Sequence, residues 1–456
     1  MSTSNGSKAA FYRMIWRWHF YAGLFVIPFI LILSLSGAIY LFKPQVERWE
    51  ERAYQQLPTV NEVSPNAQLD AALATFPHSQ FHSYRLPERV GDAAMIHLAL
   101  ADGISMRDVF VSPQGKVLGS IDPESRIMAF DHRLHGQLLI GQRGSWLVEL
   151  AASWAIVMVV TGLYLWWPRG RGLAGILWPR LSKGSGIIWR DLHAVTGFWV
   201  AGLALVLLLT GLPWADVWGS AFKSVRAEMG WVKGRQDWTI GGKPPADDNG
   251  SGTHAEHDHQ AMMRMAAAGM KMAGLADIVA KAKAEHLAFP VLISPPGAPQ
   301  RFGASSNMAW TVKSDSQNRP QRVSITYDIA TGKLLSREGF ADKHVIDRVI
   351  GYGVAWHEGQ LFGPINQLIG VLTAAGLILL SISGFVLWRR RKPVQQLGAP
   401  PLPHMPPRMG GAVVLIFGLA ALLPLLAASL LLMLLFDLLV LPRLPGVARW
   451  LGIKPA

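Results

Sequence analysis

Cysteine is absent from all 456 residues. That absence excludes disulfides, thiolate-held iron–sulfur clusters, thiol nucleophiles and the C-x-x-C-H attachment of c-type haem. Any redox cofactor must therefore be held without a covalent thioether. There is no glycine-rich dinucleotide fingerprint, so the chain carries no nucleotide-binding domain of its own. No grouping of residues offers a general acid, a base or a nucleophile. Charge is also scarce: 16% of residues are charged and half are hydrophobic. Several apolar runs of twenty or more residues fill the difference, which is the pattern of a polytopic membrane protein.

The net charge of +13 would suit nucleic acid, but the basic residues concentrate beside apolar runs, where they orient helices instead. No nucleic-acid partner is expected; the lipid bilayer is. The first apolar run, residues 20–42, exceeds a signal-peptide core and lacks a small-residue cleavage site, so it reads as a retained helix. Lys8, Arg13 and Arg17 put the N-terminus on the cytoplasmic side, and Trp16 and Trp18 suit the interface.

Two sets of landmarks recur. His19 is followed by Gly23 and Ser36-Gly37, and His193 by Gly197 and Thr210-Gly211, at steps of four and seventeen residues in both copies. His135 leads to Gly141, Thr161-Gly162 and Trp166; His357 leads to Gly363, Ser383-Gly384 and Trp388, at six, twenty-six and thirty-one residues in both. Chance rarely aligns such landmarks twice, so the chain is an internal duplication of helix, soluble module and helix.

The expected fold is a membrane α-helical bundle of about five transmembrane helices with two periplasmic α+β modules. In order, residues 1–44 hold the N-terminus and helix 1, 45–130 the first module and 131–168 helix 2. A basic cytoplasmic loop follows at 169–190, with Arg169, Arg171, Arg180, Lys183 and Arg190, then helix 3 at 191–213. The second module occupies 214–355, with a His/Met-rich insertion at 247–273, and helix 4 occupies 356–392, ending in Arg389-Arg390-Arg391-Lys392. A Pro-rich linker (393–409) leads to helix 5 at 410–441 and a tail at 442–456. Helix 5 is long for one crossing and contains Pro424, so a tilt or kink is expected. It has no histidine and reads as a packing or partner helix. Within the modules, helices are expected near 65–75 and 275–287, and strand–turn–strand patterns around Gly115-Lys116 and Gly332-Lys333.

Topology pairs the histidines. His19 and His193 begin outward-running helices on the cytoplasmic side, whereas His135 and His357 precede inward-running helices on the outer side. Halves related by an axis along the membrane normal bring each pair together. Two facing imidazoles supply both axial ligands of a b-type haem. Gly23 and Gly197, one turn beyond each inner histidine, would leave room for the macrocycle. A single histidine near a helix end is usually a packing residue, and glycine is common in membrane helices, so the weight rests on four matched positions. One haem near each face would make a two-step path across roughly 30 Å of hydrocarbon.

Other residues compete. His132, three residues before His135, is its rival as ligand, and the spacing to Thr161-Gly162 favours His135. His97, His286, His344 and His404 lack duplicated support. Asp191 could hold an imidazole or a haem propionate partner, or simply start a helix. Trp166, Trp167, Trp189 and Trp388 read as interface anchors rather than electron relays. His254, His257 and His259, followed by Met262, Met263, Met265, Met270 and Met272, form a soft donor set suited to copper. A solvated loop with incidental methionines is the plainer reading.

Trp18-His19, Leu134-His135, the run from Thr161-Gly162 to Trp167-Pro168, Asp191-Leu192-His193 through Gly197, and Ser383-Gly384 through Trp388 together resemble the PepSY-associated transmembrane family. The resemblance covers about residues 11–392, and Gly115-Lys116-Val117 and Gly332-Lys333-Leu334 look like PepSY turns. It implies an inner-membrane dihaem metalloreductase that reduces ferric siderophore in the periplasm and releases Fe(II). The ligand role is carried to His19, His193, His135 and His357. Electrons would come from quinol or from a separate cytoplasmic reductase. The insertion and helix 5 depart from the pattern. Two alternatives stay open: a cupric reductase using the His/Met loop, and a haem-free scaffold whose modules bind a partner.

Overall fold

The computed structural model describes residues 2–167, 173–232, 273–298, 309–403 and 409–453. In chain order the helices used below are α1 (Ser2–Tyr40), α2 (Pro65–Thr75), α3 (Ile127–Gln137), α4 (Gln142–Trp166), α5 (Ser185–Gly211), α6 (Leu275–Ala284), α7 (Val345–His357), α8 (Pro364–Arg391), α9 (Gly410–Leu422) and α10 (Pro424–Leu435), with shorter helices at Lys43–Glu50, Asp216–Glu228 and Pro445–Trp450. The strands are β1 (Gln80–Arg85), β2 (Ala94–Ala99), β3 (Met106–Val111), β4 (Val117–Ile121), β5 (Val291–Ser294), β6 (Ala309–Ser314), β7 (Val323–Asp328) and β8 (Leu334–Gly339). They form two compact units, one of Met1–Leu41, Arg133–Val225 and Gln367–Ala456, the other of Phe42–His132 and Arg226–Asn366.

The first unit is the helical bundle. Among the described residues, five helices are long and apolar enough to cross a membrane: Gly6–Tyr40, Gln142–Trp166, Ser185–Trp214, Pro364–Arg391 and Pro424–Arg443. α4 packs against α1 and α5. α8 closes the ring. Its Gln367 amide donates to the Leu41 carbonyl at 2.9 Å, and a Cβ on Gly376 would strike Val200 of α5. Small residues at such crossings are what let membrane helices approach closely. Glu149, buried in α4, accepts from the backbone N–H groups of Val217 and Trp218 at 2.9 and 3.0 Å and so caps the helix Asp216–Glu228.

Helix continuity is interrupted in two ways, at Pro424 where a kink is expected and ahead of the second and fourth spans. The run at 410–441 is not one helix: α9 ends at Leu422, Leu423 is extended, and α10 starts at Pro424. Proline lacks an N–H, and its ring forces the preceding residue out of the helical region. α10 then packs on α4 and α5 through Leu423, Leu426, Ile156 and Leu212. The segments 131–168 and 356–392 are likewise broken. Leu138, Leu139 and Gly141 take φ of 49°, 60° and 64° between α3 and α4; Gly359 and Gly363 take 72° and 57° between α7 and α8. His135 and His357 thus lie on short helices ahead of the spans. The repeated glycine six residues after each is explained by this left-handed backbone.

In the second unit the two α+β modules share a single eight-stranded antiparallel sheet, in the order β4-β3-β2-β1-β5-β6-β7-β8. The join is β1 to β5, with Tyr84 opposite Ile293 and Arg85 opposite Leu292. Sequence periodicity locates strands but not which edges meet. α2 and α6 cover one face, burying Ala72, Ile278, Val279 and Ala282 on Ile96, Leu98, Val109, Ile293, Val312 and Ile325. Each of the valine, leucine and isoleucine side chains stabilises by about 1.5–3 kcal/mol. On the opposite face Tyr54 stacks on Phe110 with ring centres 4.1 Å apart.

A charged network crosses this unit. Arg126 binds Asp108 and Glu51, each at 3.0 Å, and Asp108 also holds His97 at 2.7 Å. Burial alone would push the Asp108 carboxyl up, but His97 and Arg126 together hold it below the ordinary carboxylate range. Asp131 has no such help. It is 4% exposed, and burial raises its carboxyl to about 6. A carboxyl whose folded value lies above the unfolded one of about 4 is destabilising once ionised, so stability falls as pH rises from about 4 to 6. Asp131→Asn should therefore raise the unfolding temperature at pH 7.5, by an amount equivalent to about 2–3 kcal/mol at most, and change little at pH 4. Equal shifts at the two pH values would count against this assignment.

Candidate functional site: a histidine pair inside the bundle

α1 and α5 lie on opposite corners of the ring formed with α4 and α8, and their histidines meet between them. The His19 and His193 rings have centres 6.4 Å apart and planes at 81°. Each ring is backed by a neighbouring helix. His19 Nδ1 lies 2.9 Å from the Thr161 hydroxyl of α4, and His193 Nδ1 lies 3.1 Å from both the Ser383 hydroxyl and the Leu380 carbonyl of α8. The glycines that follow allow this approach: a Cβ on Gly162 or Gly384 would stand 3.2 or 3.3 Å from the Cε1 of His19 or His193.

His135 repeats the arrangement farther along. Its Nδ1 lies 2.9 Å from the Ser36 hydroxyl of α1, and a Cβ on Gly37 would stand 3.1 Å from its ring. α1 runs unbroken through Pro28. At 1.5 Å per residue, the seventeen residues from His19 to Ser36 separate the two imidazole positions by roughly 25 Å along the helix. That is most of a hydrocarbon core. His357 closes α7 in the second unit.

The recurring landmarks thus have physical roles. Thr161-Gly162, Ser383-Gly384 and Ser36-Gly37 seat imidazoles. Trp166 and Trp388 donate their indole N–H to the Ile176 and Leu397 carbonyls at 3.2 and 2.7 Å, tying the chain that leaves each helix back onto it. Gly23 and Gly197 also sit in matched surroundings. A Cβ would meet only the Met158 methyl in one and a Leu380 methyl in the other, each at 3.4 Å. Met158 lies three residues before Thr161 and Leu380 three before Ser383.

Asp191 does not reach an imidazole: it binds the Arg180 guanidinium at 2.7 and 2.9 Å and Arg190 at 3.0 Å, pinning the basic loop to the start of α5. His97 belongs to the Asp108 network, and His344 caps α7 by accepting the Ile346 N–H at 3.3 Å. His404, Arg169 and Arg171 lie outside the described residues, as do His254, His257, His259, Met262, Met263 and Met265.

A metal between two imidazoles needs bonds of about 2 Å to each nitrogen, and each ring centre sits about 1 Å behind its nitrogen, so roughly 6 Å between centres is required. The 6.4 Å observed meets this. A bare tetrahedral ion would need further protein ligands. Among the described residues no group of three or more His, Cys, Asp or Glu is placed to hold one. A haem would ask the protein for only two nitrogen ligands, and His19 and His193 are the imidazoles that could hold one here.

A family profile described as PepSY-associated TM region matches residues 16–391. Among curated proteins, nothing matches the chain.

Proposed function

Since the chain belongs to the PepSY-associated transmembrane family, we propose that it is an inner-membrane b-type cytochrome that delivers electrons to ferric siderophore on the periplasmic side. The observation that carries this reading is the 6.4 Å His19–His193 pair inside a membrane-spanning bundle. His19 and His193 would hold a haem near the cytoplasmic face, and His135, seated on Ser36 of α1, would be a ligand of a second near the outer face. Bound there, b-type haem supplies reversible one-electron chemistry.

The remaining work belongs to the chain. Arg180, Lys183, Arg190 and the Arg389–Lys392 run mark the cytoplasmic side. Arg391 lies 5.4 Å over the Trp16 ring, which ties the end of α8 to α1 at that face. The soluble modules stand on the periplasmic side, where the oxidant is met. Each Fe(III) takes one electron to become Fe(II), and one quinol, losing two electrons and two protons, serves two irons. A cytoplasmic reductase docked at the basic face is the other donor class. Reduction weakens the hold of the oxygen ligands on iron, so release needs no cleavage of the siderophore.

The test is a reduced-minus-oxidised spectrum with haem quantitation on protein made with ample haem. About two b-type haems per chain are expected, oxidised by ferric siderophore. A folded preparation without a Soret band would leave a haem-free scaffold in place of the reductase.

A further inference from the structure

Three imidazoles set Nδ1 against a serine or threonine hydroxyl, and in each case a carbonyl of the hydroxyl's own helix, which can only accept, lies within reach of that hydroxyl's proton. Thr161 donates to the Val157 carbonyl at 2.7 Å, Ser36 to Ile32 at 2.8 Å and Ser383 to Leu380 at 3.1 Å. A hydroxyl has one proton and two lone pairs. With the proton engaged on its own helix, it can only accept from the ring. Nδ1 must then carry the hydrogen, and Nε2 is the unprotonated nitrogen. At His193 a second acceptor gives the same answer, because the Leu380 carbonyl 3.1 Å from Nδ1 has no proton to donate.

We propose that Thr161-Gly162, Ser383-Gly384 and Ser36-Gly37 are positioning residues for His19, His193 and His135. The hydroxyl fixes the Nδ1–H tautomer and aims Nε2 at the metal, and the glycine lets the ring seat. This rests on the haem reading above. An acceptor on Nδ1–H makes an imidazole a stronger donor to its metal. Stronger donation favours the ferric state, so the hydroxyls hold the haem potential down. The two inner ligands differ. His193 has a carbonyl as well as a hydroxyl, so losing Ser383 should matter less than losing Thr161.

The experiment uses full-length protein and four variants: Thr161→Val, which keeps the shape and removes the hydroxyl, Thr161→Ser, Ser383→Ala and Ser36→Ala. Spectroelectrochemical titration reads the haems. Nitrogen NMR of histidine-labelled protein prepared without haem reads the tautomers, with His19 identified by difference against His19→Gln. Expected are a single Nδ1–H tautomer for His19 in the wild type and a mixture in Thr161→Val. The potential of one haem should rise in Thr161→Val, return in Thr161→Ser and rise less in Ser383→Ala, with haem content retained. Ser36→Ala should move the other haem alone, and it decides the matter if Thr161→Val fails to fold. An unmoved tautomer and potential in Thr161→Val, or no recovery in Thr161→Ser, would overturn the proposal. A wild type that binds no haem yet shows the fixed tautomer would remove the haem reading and leave the clamp standing. A mixed tautomer in the wild type would remove the clamp whatever the haem content.

Discussion

His193→Ala protein, produced with ample haem, should retain about half the wild-type haem and reduce ferric siderophore at least about 100-fold more slowly. Removing a group that only orients a metal ligand costs 10–100-fold, and removing the ligand itself costs more. The remaining haem should be the one proposed for His135. His19→Ala should give the same spectrum, since the two ring centres lie only 6.4 Å apart. His97→Ala is the informative control. Its ring is bound to Asp108 in the other unit, so haem content should not change. If His193→Ala keeps its full haem complement with an unaltered spectrum, the pair is a packing contact and the assignment fails. If both haems disappear together, the two positions are coupled through the fold of the bundle, and measurement of residual helicity separates that outcome from simple unfolding.

Gly144→Ala should be far more damaging than a single methyl suggests. Gly144 lies in the first turn of α4, and an added Cβ would be built onto the backbone carbonyl of Gln137, deep inside contact distance. Backbone atoms cannot swing aside as a side chain can. α4 would have to part from the end of α3, where Leu138 and Leu139 already occupy the left-handed region that bulky residues avoid. The cost belongs with the exceptional single substitutions, on the order of 4–5 kcal/mol. His135 sits two residues before Gln137, so protein that survives should lose the His135 haem and keep the His19–His193 one. Gly202→Ala provides the contrast. Nothing lies within 4 Å of a Cβ there, and replacing a mid-helix glycine by alanine stabilises by roughly 0.5–1 kcal/mol. Equal thermal stability of the two variants would contradict this account.

Much of this arrangement is legible in the sequence, and the reason is locality. An apolar run of twenty residues is a membrane helix wherever it occurs. Repeated steps from His135 and His357 to Thr161 and Ser383 mark a duplication whatever the fold. The pairing of His19 with His193 followed from helix direction and pseudo-symmetry, and the structure brings those two rings together. The Ser/Thr-Gly pairs were visible as landmarks, but their purpose was not. A spacing records that two residues recur without saying which ring each will touch.

The chain order of spans and modules, the clustering of basic residues beside apolar runs and the recurring steps around the four histidines are therefore set by the sequence alone, because each depends on neighbours within about thirty residues. Only the tertiary structure decided the rest. It joined two modules into one sheet through β1 and β5, and took Asp191 away from the imidazoles to bind Arg180. It set Thr161 against His19, 142 residues away in sequence, and Ser383 against His193, 190 residues away. Such contacts depend on how helices pack. Packing is selected by shape across helix faces and by the need to satisfy buried polar groups away from water, and neither requirement is written in the order of residues along one helix.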